Sequence, residues 1–320
     1  MSAAERIVAV AGEALVDLMP TGVPGQFQAV PGGSPANVAV GLARLRTPVR
    51  MLARLGTDPL GGQIRKYLQD NDISLDHVVA AAEPTSLAVV DVDAMGMAHY
   101  DFRIDATADW QWTDAELAHA VDDAVVALHT GSLAMMLPPG AAALLRLVER
   151  ARRTATISYD PNFRPHLMAR TTARERIEVL LQLADVIKVS AEDLAWLYPH
   201  TAPEDILVDW AAHGPALVVV TLGPDGCLAA TGADPTPMYR SGKQVPVVDT
   251  VGAGDAFSAG LLAGLYRRDL LGADRRNALR DIAKSELTDI LDHATTVAAM
   301  TCARRGADPP TASEVCRKPV

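Results

Sequence analysis

The chain has 320 residues, 49% hydrophobic and 21% charged, which excludes a disordered or low-complexity polypeptide and suffices for one large core. A net charge of −10, from 29 basic and 39 acidic residues, excludes a general nucleic-acid binder, which needs a basic face against phosphates. No apolar run reaches the roughly 20 residues that cross a bilayer, and residues 1–6 lack the basic stretch and apolar core of a signal peptide. A cytoplasmic protein with neither a membrane nor a nucleic-acid partner is expected. Cys227, Cys302 and Cys316 are too scattered for a zinc site or a disulfide framework.

Residues 7–11 form the first apolar, β-branched run. Residues 12–31 follow with Gly and Pro turn signals between short extended pieces. Residues 86–103 predict a hairpin whose turn is Met95-Gly96-Met97. Further buried strands are predicted at 125–128, 155–159, 185–189, 216–222 and 245–248, with helical patterns such as 141–152 and 172–183 between several of them. Residues 252–305 are helical apart from a break near Gly272, and the Pro-rich tail beyond Arg305 is expected to be irregular. Alternating strands and helices predict an α/β fold with a parallel sheet buried on both faces. The early hairpin stands outside that alternation, so a small β-flap beside the main sheet is expected.

The chemistry concentrates in Asp249-Thr250-Val251-Gly252-Ala253-Gly254-Asp255-Ala256-Phe257, with a β run expected to enter it and a helix to leave. Gly252 and Gly254 let the backbone approach a ligand closely. Amides at a helix start make an anion site, and Asp255 beside it is placed to take a proton from an attacking hydroxyl. Phosphoryl transfer needs that pairing of charge stabilisation and base. Taken alone, the same residues also fit a Gly-rich turn whose Asp stabilises a helix N-terminus. The third glycine of a dinucleotide fingerprint is missing, which disfavours an NAD-dependent oxidoreductase. There is no Gly-x4-Gly-Lys-Ser/Thr loop, no Gly-x-Ser-x-Gly elbow and no His-Glu-x-x-His.

This segment resembles the C-terminal signature of the ribokinase (PfkB) family of carbohydrate kinases. Pro31-Gly32-Gly33-Ser34-Pro35-Ala36-Asn37-Val38-Ala39 resembles the family's Gly-Gly-x-x-x-Asn segment, which leads into its first long helix. Arg54-Leu55-Gly56-x-Asp58-x-x-Gly61 and Thr221-Leu222-Gly223-x-x-Gly226 match in the family's order. The resemblance implies one three-layer α/β/α domain over residues 1–320, with a mostly parallel central sheet. A β-sheet lid at about 12–35 and 86–106 would close over a sugar and keep water from ATP.

It further implies Asp255 as the base, with Gly252, Ala253 and Gly254 offering amides to the transferred group. Asp17, Gly32, Gly33 and Asn37 would meet the sugar, and Lys188, Thr221, Gly223, Gly226 and His293 the nucleotide. A surface Lys188 and a structural His293 are the alternatives left open. Asp249, Val251 and Gly306 would enclose a monovalent cation, K⁺. The family's Asn-x-x-Glu near the Mg²⁺–phosphate site is Ser190-x-x-Asp193 here, with Glu192 one residue out of step. Either acid could order a magnesium-bound water. Lid strands pair across a homodimer in some relatives.

Asp160-Pro161-Asn162-Phe163-Arg164-Pro165 resembles the bacterial fructokinase and 2-keto-3-deoxygluconate kinase branches, and implies that Arg164 meets substrate or phosphate, a structural ion pair being the alternative. Tyr100-Asp101-Phe102-Arg103, followed by Thr107-Ala108-Asp109, resembles the fructokinase pattern and adds Arg103 to the sugar side. Asp101 would repel a substrate carboxylate. Fructose phosphorylated on its 6-hydroxyl is therefore expected, with 2-keto-3-deoxygluconate or another sugar as the alternative. A catalytically silent sugar or nucleotide sensor is the non-kinase alternative, and the intact base and anion hole speak against it.

Overall fold

The computed structural model describes residues 6–92 and 98–317. After β1 (Ile7–Ala11) the chain leaves the main sheet for a second one as β2 (Leu15–Pro20) and β3 (Phe27–Gly32), then returns along α1 (Ser34–Arg44) to β4 (Val49–Leu52). A small parallel pair, β5 (Arg54–Gly56) and β6 (Val79–Ala81), brackets α2 (Pro59–Asp70). The antiparallel strands β7 (Leu87–Val92) and β8 (Ala98–Arg103) then complete the second sheet. Their expected turn at Met95-Gly96-Met97 lies outside the described residues.

The main sheet resumes with β9 (Val125–Gly131), α3 (Gly140–Ala151), β10 (Thr156–Asp160), α4 (Arg170–Leu183) and β11 (Val186–Ser190). α5 (Ala191–Leu197) and α6 (Pro203–His213) precede β12 (Leu217–Thr221), and β13 (Gly226–Thr231) and β14 (Met238–Ser241) are added antiparallel. The helical C-terminal part holds α7 (Ala253–Arg267), α8 (Arg276–Arg280), α9 (Lys284–Cys302) and α10 (Ala312–Cys316).

The main sheet runs β14-β13-β12-β11-β10-β9-β1-β4. Alternate strand residues face opposite cores. Val8, Val10, Leu217 and Val219 pack with Leu42, Leu261 and Leu291 on the α1, α7 and α9 side. Ala9, Ala11, Val218 and Val220 pack with Leu144, Ile177, Leu194 and Trp210 on the other. Burial on both faces is why these strands read as unbroken apolar runs. The second sheet, β3-β2-β7-β8, falls within the segments expected for the lid.

Two buried carboxylates tie the crossings between the sheets. Asp109 accepts the Ala14 amide at 2.8 Å on one oxygen and the Ser86 hydroxyl on the other. Glu13 accepts the Ala134 amide at 3.2 Å. Burial pushes Glu13 up to about 7 and Asp109 up to about 6.

Two expectations are corrected. Residues 245–248 are not a strand: Val247 and Val248 are 64% and 63% exposed. Pro246 has no amide for a ladder, and Val248 N–H donates instead to the Cys302 carbonyl at 2.8 Å. The tail is not wholly irregular, because Thr311 and Glu314 form a capping box that starts α10.

Candidate active site

α1 and α7 pack against each other through Gly41, where a Cβ would lie 2.6 Å from that of Ala259. That close approach brings their N-terminal ends together. Gly252 caps α7 in the left-handed region at φ 75°, and a Cβ there would sit 2.8 Å from Ala307 Cα. Only glycine fits both demands. Ala253 N–H makes a turn bond to Thr250 O at 3.2 Å.

Asp255 is buried in the first turn of α7. Ser34 Oγ donates to its Oδ1 at 2.6 Å and Asn37 Nδ2 to its Oδ2 at 2.8 Å. Burial raises its pKa, and these two bonds oppose the rise. Asn37, expected at the sugar, thus gives its amide nitrogen to the base. Its Oδ1 is buried with no partner among the described residues, so an acceptor remains.

Asp17, on β2, stands directly over Gly32, where any side chain would collide with the carboxylate. Burial raises Asp17 to about 6, with Arg164 pulling it down and Asp255 pushing it further up. Gly33 presses on the first crossing, a Cβ there reaching 2.7 Å from Glu13 O.

Beneath the α7 turn lies a buried ion pair that the motifs did not reveal. Lys188 Nζ meets Asp160 Oδ2 at 2.9 Å, and Ser258 Oγ donates to the same oxygen at 3.2 Å. Lys188 Nζ also lies 2.9 Å from where a Cβ on Gly254 would be. Lys188 is therefore no surface lysine. Burial disfavours its charge, but Asp160, together with Asp255 and Asp193, more than offsets this and raises its pKa. Asp160 Oδ1 is buried without a partner among the described residues.

Asp193 faces the same cluster. Its Oδ1 accepts Phe163 N–H at 3.1 Å and its Oδ2 accepts Ser190 Oγ–H at 2.8 Å. Burial raises its pKa, with Asp160, Lys188 and Arg164 as charged neighbours. Glu192 is exposed. Arg164 donates from Nη1 to Asn162 Oδ1 at 2.7 Å and to two carbonyls of its own loop.

Arg103 departs from its expected place. Its side chain is 67% exposed and paired to Asp101 at 2.6 Å. A strand's period of two puts residues 101 and 103 on one face and 100 and 102 on the other. The inner face carries Tyr100, which interacts with Asp17 and Arg164, and Phe102, which stacks on His166. Parity around Arg103 could have identified Tyr100.

Gly223 and Gly226, at φ 59° and 109°, shape the turn from Thr221 into β13. His293 lies apart from the Asp255 cluster. Its neighbour Ala294 packs on Gly260, about one and a half turns along α7 from Asp255. Burial, with Arg267 and Arg268 nearby, lowers it to about 4, so it is neutral at pH 7. The Asp249 carboxylate joins two loops, accepting Val251 N–H at 3.1 Å and Gly306 N–H at 2.8 Å.

The model of the pfkB family of carbohydrate kinases matches residues 7–314. The chain belongs to that family. It is 36% identical to a fructokinase of Klebsiella pneumoniae over 87% of this chain and 94% of that one. It is 33% identical to fructokinase-1 of Oryza sativa subsp. japonica over 98% and 97%. Among solved structures, the fructokinase of Vibrio cholerae O395 with fructose, ADP and calcium superposes with a TM-score of 0.79 at 28% identity, covering 95% of each chain. The ATP-bound fructokinase of Xylella fastidiosa does so with 0.86 at 27%, covering 97% of this chain and 96% of that one.

Within the family frame, Ser34, Asp160, Ser258 and Tyr100 are the site residues that sequence reasoning left without a role. Among the described residues no cluster of three or more His, Cys, Asp or Glu forms a metal cage, and no helix is long and apolar enough to cross a membrane.

Proposed function

We propose that this kinase transfers the γ-phosphoryl group of ATP to the 6-hydroxyl of fructose. The observation that carries this reading is the buried Asp255 carboxylate, held by Ser34 and Asn37 at the left-handed Gly252 turn. Asp17 accepts hydrogen bonds from sugar hydroxyls, and Asn37 Oδ1 offers a second acceptor. Asp255 takes the proton of the primary hydroxyl as the new oxygen–phosphorus bond forms and the bond to the leaving ADP oxygen breaks. The amides of Gly252 and Gly254 face the charge on the transferred group, with the Lys188 ammonium behind Gly254, while the Ala253 amide closes the turn onto Thr250 O. Thr221, Gly223 and Gly226 line the nucleotide side. His293 is a structural histidine, and Arg103 has no part in the chemistry.

Both oxygens of Asp193 already accept protein hydrogen bonds. That fits holding a water of Mg²⁺ rather than the bare ion, and Glu192 is not required. When bound, Mg²⁺ neutralises charge on the β- and γ-phosphates. Asp249, Val251 and Gly306 fit a K⁺ site, the carboxylate fixing both loops that border it. Residues 15–32 and 87–103 act as the lid, and the β3 edge, with Phe27 52% exposed, is where a second copy would pair.

Fructose is preferred because the curated relatives are fructokinases and because Arg164 is bonded to its own loop beside Asp17 rather than free for a substrate carboxylate. The test is an ADP-release assay with Mg-ATP and K⁺ over fructose, 2-keto-3-deoxygluconate, ribose and adenosine. Fructose should give the highest kcat/KM. Preference for another sugar would overturn the substrate, and no turnover with ATP-induced thermal stabilisation would point to a sensor.

A further inference from the structure

The hydroxyl of Ser34 bonds the base Asp255, and its geometry is tightly fixed. It lies in the first turn of α1, after Gly33 at φ 101° and before Pro35. Gly33 cannot carry a side chain without meeting Glu13 O, and α1 is seated on α7 at Gly41. Backbone constraints on both sides therefore deliver Ser34 Oγ to 2.6 Å from Asp255 Oδ1.

The groups facing Asp255 come from several elements: Asp17 from β2, Asp160 from β10, Lys188 from β11, and Ser34 and Asn37 from α1. Burial and the two carboxylates disfavour an ionised Asp255, while the ammonium and the two donors favour it. A carboxylate oxygen that accepts one bond keeps a second lone pair. The base can therefore be held and still take a proton.

We infer that Ser34 is a positioning residue for the base: its hydroxyl pins Asp255 Oδ1, keeping the carboxylate ionised and aimed at the acceptor hydroxyl. This rests on the reading of Asp255 as the base. An intrahelical first-turn position accepts alanine without strain, so Ser34→Ala removes the donor and little else.

The experiment is the pH dependence of kcat/KM, which reports the free enzyme, for the sugar that turns over fastest. In Ser34→Ala the acid limb should move up by about one pH unit. Activity below the limb should then fall about tenfold and recover as pH rises, with KM for the sugar changed less than about twofold. Ser34→Thr, which keeps a hydroxyl, should return the limb towards its original position. A superimposable profile, or a loss that is the same at every pH, overturns the inference. Asp255→Asn separates the two readings. If it retains turnover, the base assignment falls and Ser34 with it. If it is inactive while the Ser34→Ala limb stays put, only the role of Ser34 falls.

Discussion

The two walls of the cleft are built differently. On the body wall, Asp255, Lys188 and Asp160 are buried and Asp193 is half-buried, and each has fixed partners. On the second-sheet wall, Asp17 is governed first by burial and then by the opposed charges of Arg164 and Asp255, and β8 turns Arg103 and Asp101 to solvent while Tyr100 faces inward. Charge transfer demands donors that need no reorganisation, so the body is over-determined. Sugar recognition tolerates more variation, and the lid carries the looser side chains.

The largest effect that would break this contrast is at the base. Asp255→Asn should lower kcat by about 10²–10⁴, read in the ADP-release assay, with the melting temperature retained. Near-parental turnover would remove the body wall's claim to the chemistry. Gly252→Ala comes next. Its Cβ would meet Ala307 and its φ would be strained, displacing the amides and costing on the order of 10² in kcat; single-turnover rates distinguish this from weaker ATP binding.

A smaller effect lies where the walls meet. Glu13 has its pKa raised from 4.5 to about 7. Between those values the folded protein holds a proton that the unfolded chain has lost, so stability is fully present below about 4.5 and falls as pH rises to about 7. Glu13→Gln removes that loss and should flatten thermal stability between pH 5 and 8, by on the order of 2 kcal/mol. An unchanged pH slope would reassign the raised proton affinity away from the crossing. Smallest is Arg103→Ala. An exposed ion pair contributes about 0–1 kcal/mol, so kcat/KM for fructose should change less than twofold. A tenfold loss would mean that β8 presents its outer face to the sugar.

Sequence reasoning reached what short motifs encode. The Gly252–Asp255 turn and the parallel sheet follow from local pattern, whereas Asp17 with Gly32, and Gly306 beside Asp249, follow only from the family resemblance. It did not reach contacts made by packing between distant segments. Ser34 and Asp255 are 221 residues apart, and Asp160 and Ser258 are 98, so neither pairing leaves a trace in spacing. Residues 245–248 were misread because apolar composition outweighed Pro246. Arg103, expected on the sugar side, faces solvent, because a resemblance gives a residue's position along a strand but not its parity.

The clasp on the Gly252 turn has a consequence for assembly order. Val248 and Asp249 donate to the Cys302 carbonyl, Gly306 donates to Asp249, and Ala307 packs on Gly252. Arg44 of α1 donates to Pro309 O at 2.8 Å. Residues 302–309 thus tie the start of α7 to the C-terminal end of α1. As the polypeptide emerges from the ribosome, β1, β4 and β9 can pair early, and the base is synthesised long before its loop is fastened. Domains fold as units during synthesis, and this one withholds a fastened Gly252 turn until residues 302–309 are out. A half-made chain can gather the β1, β4 and β9 part of its sheet without acquiring the means to spend ATP.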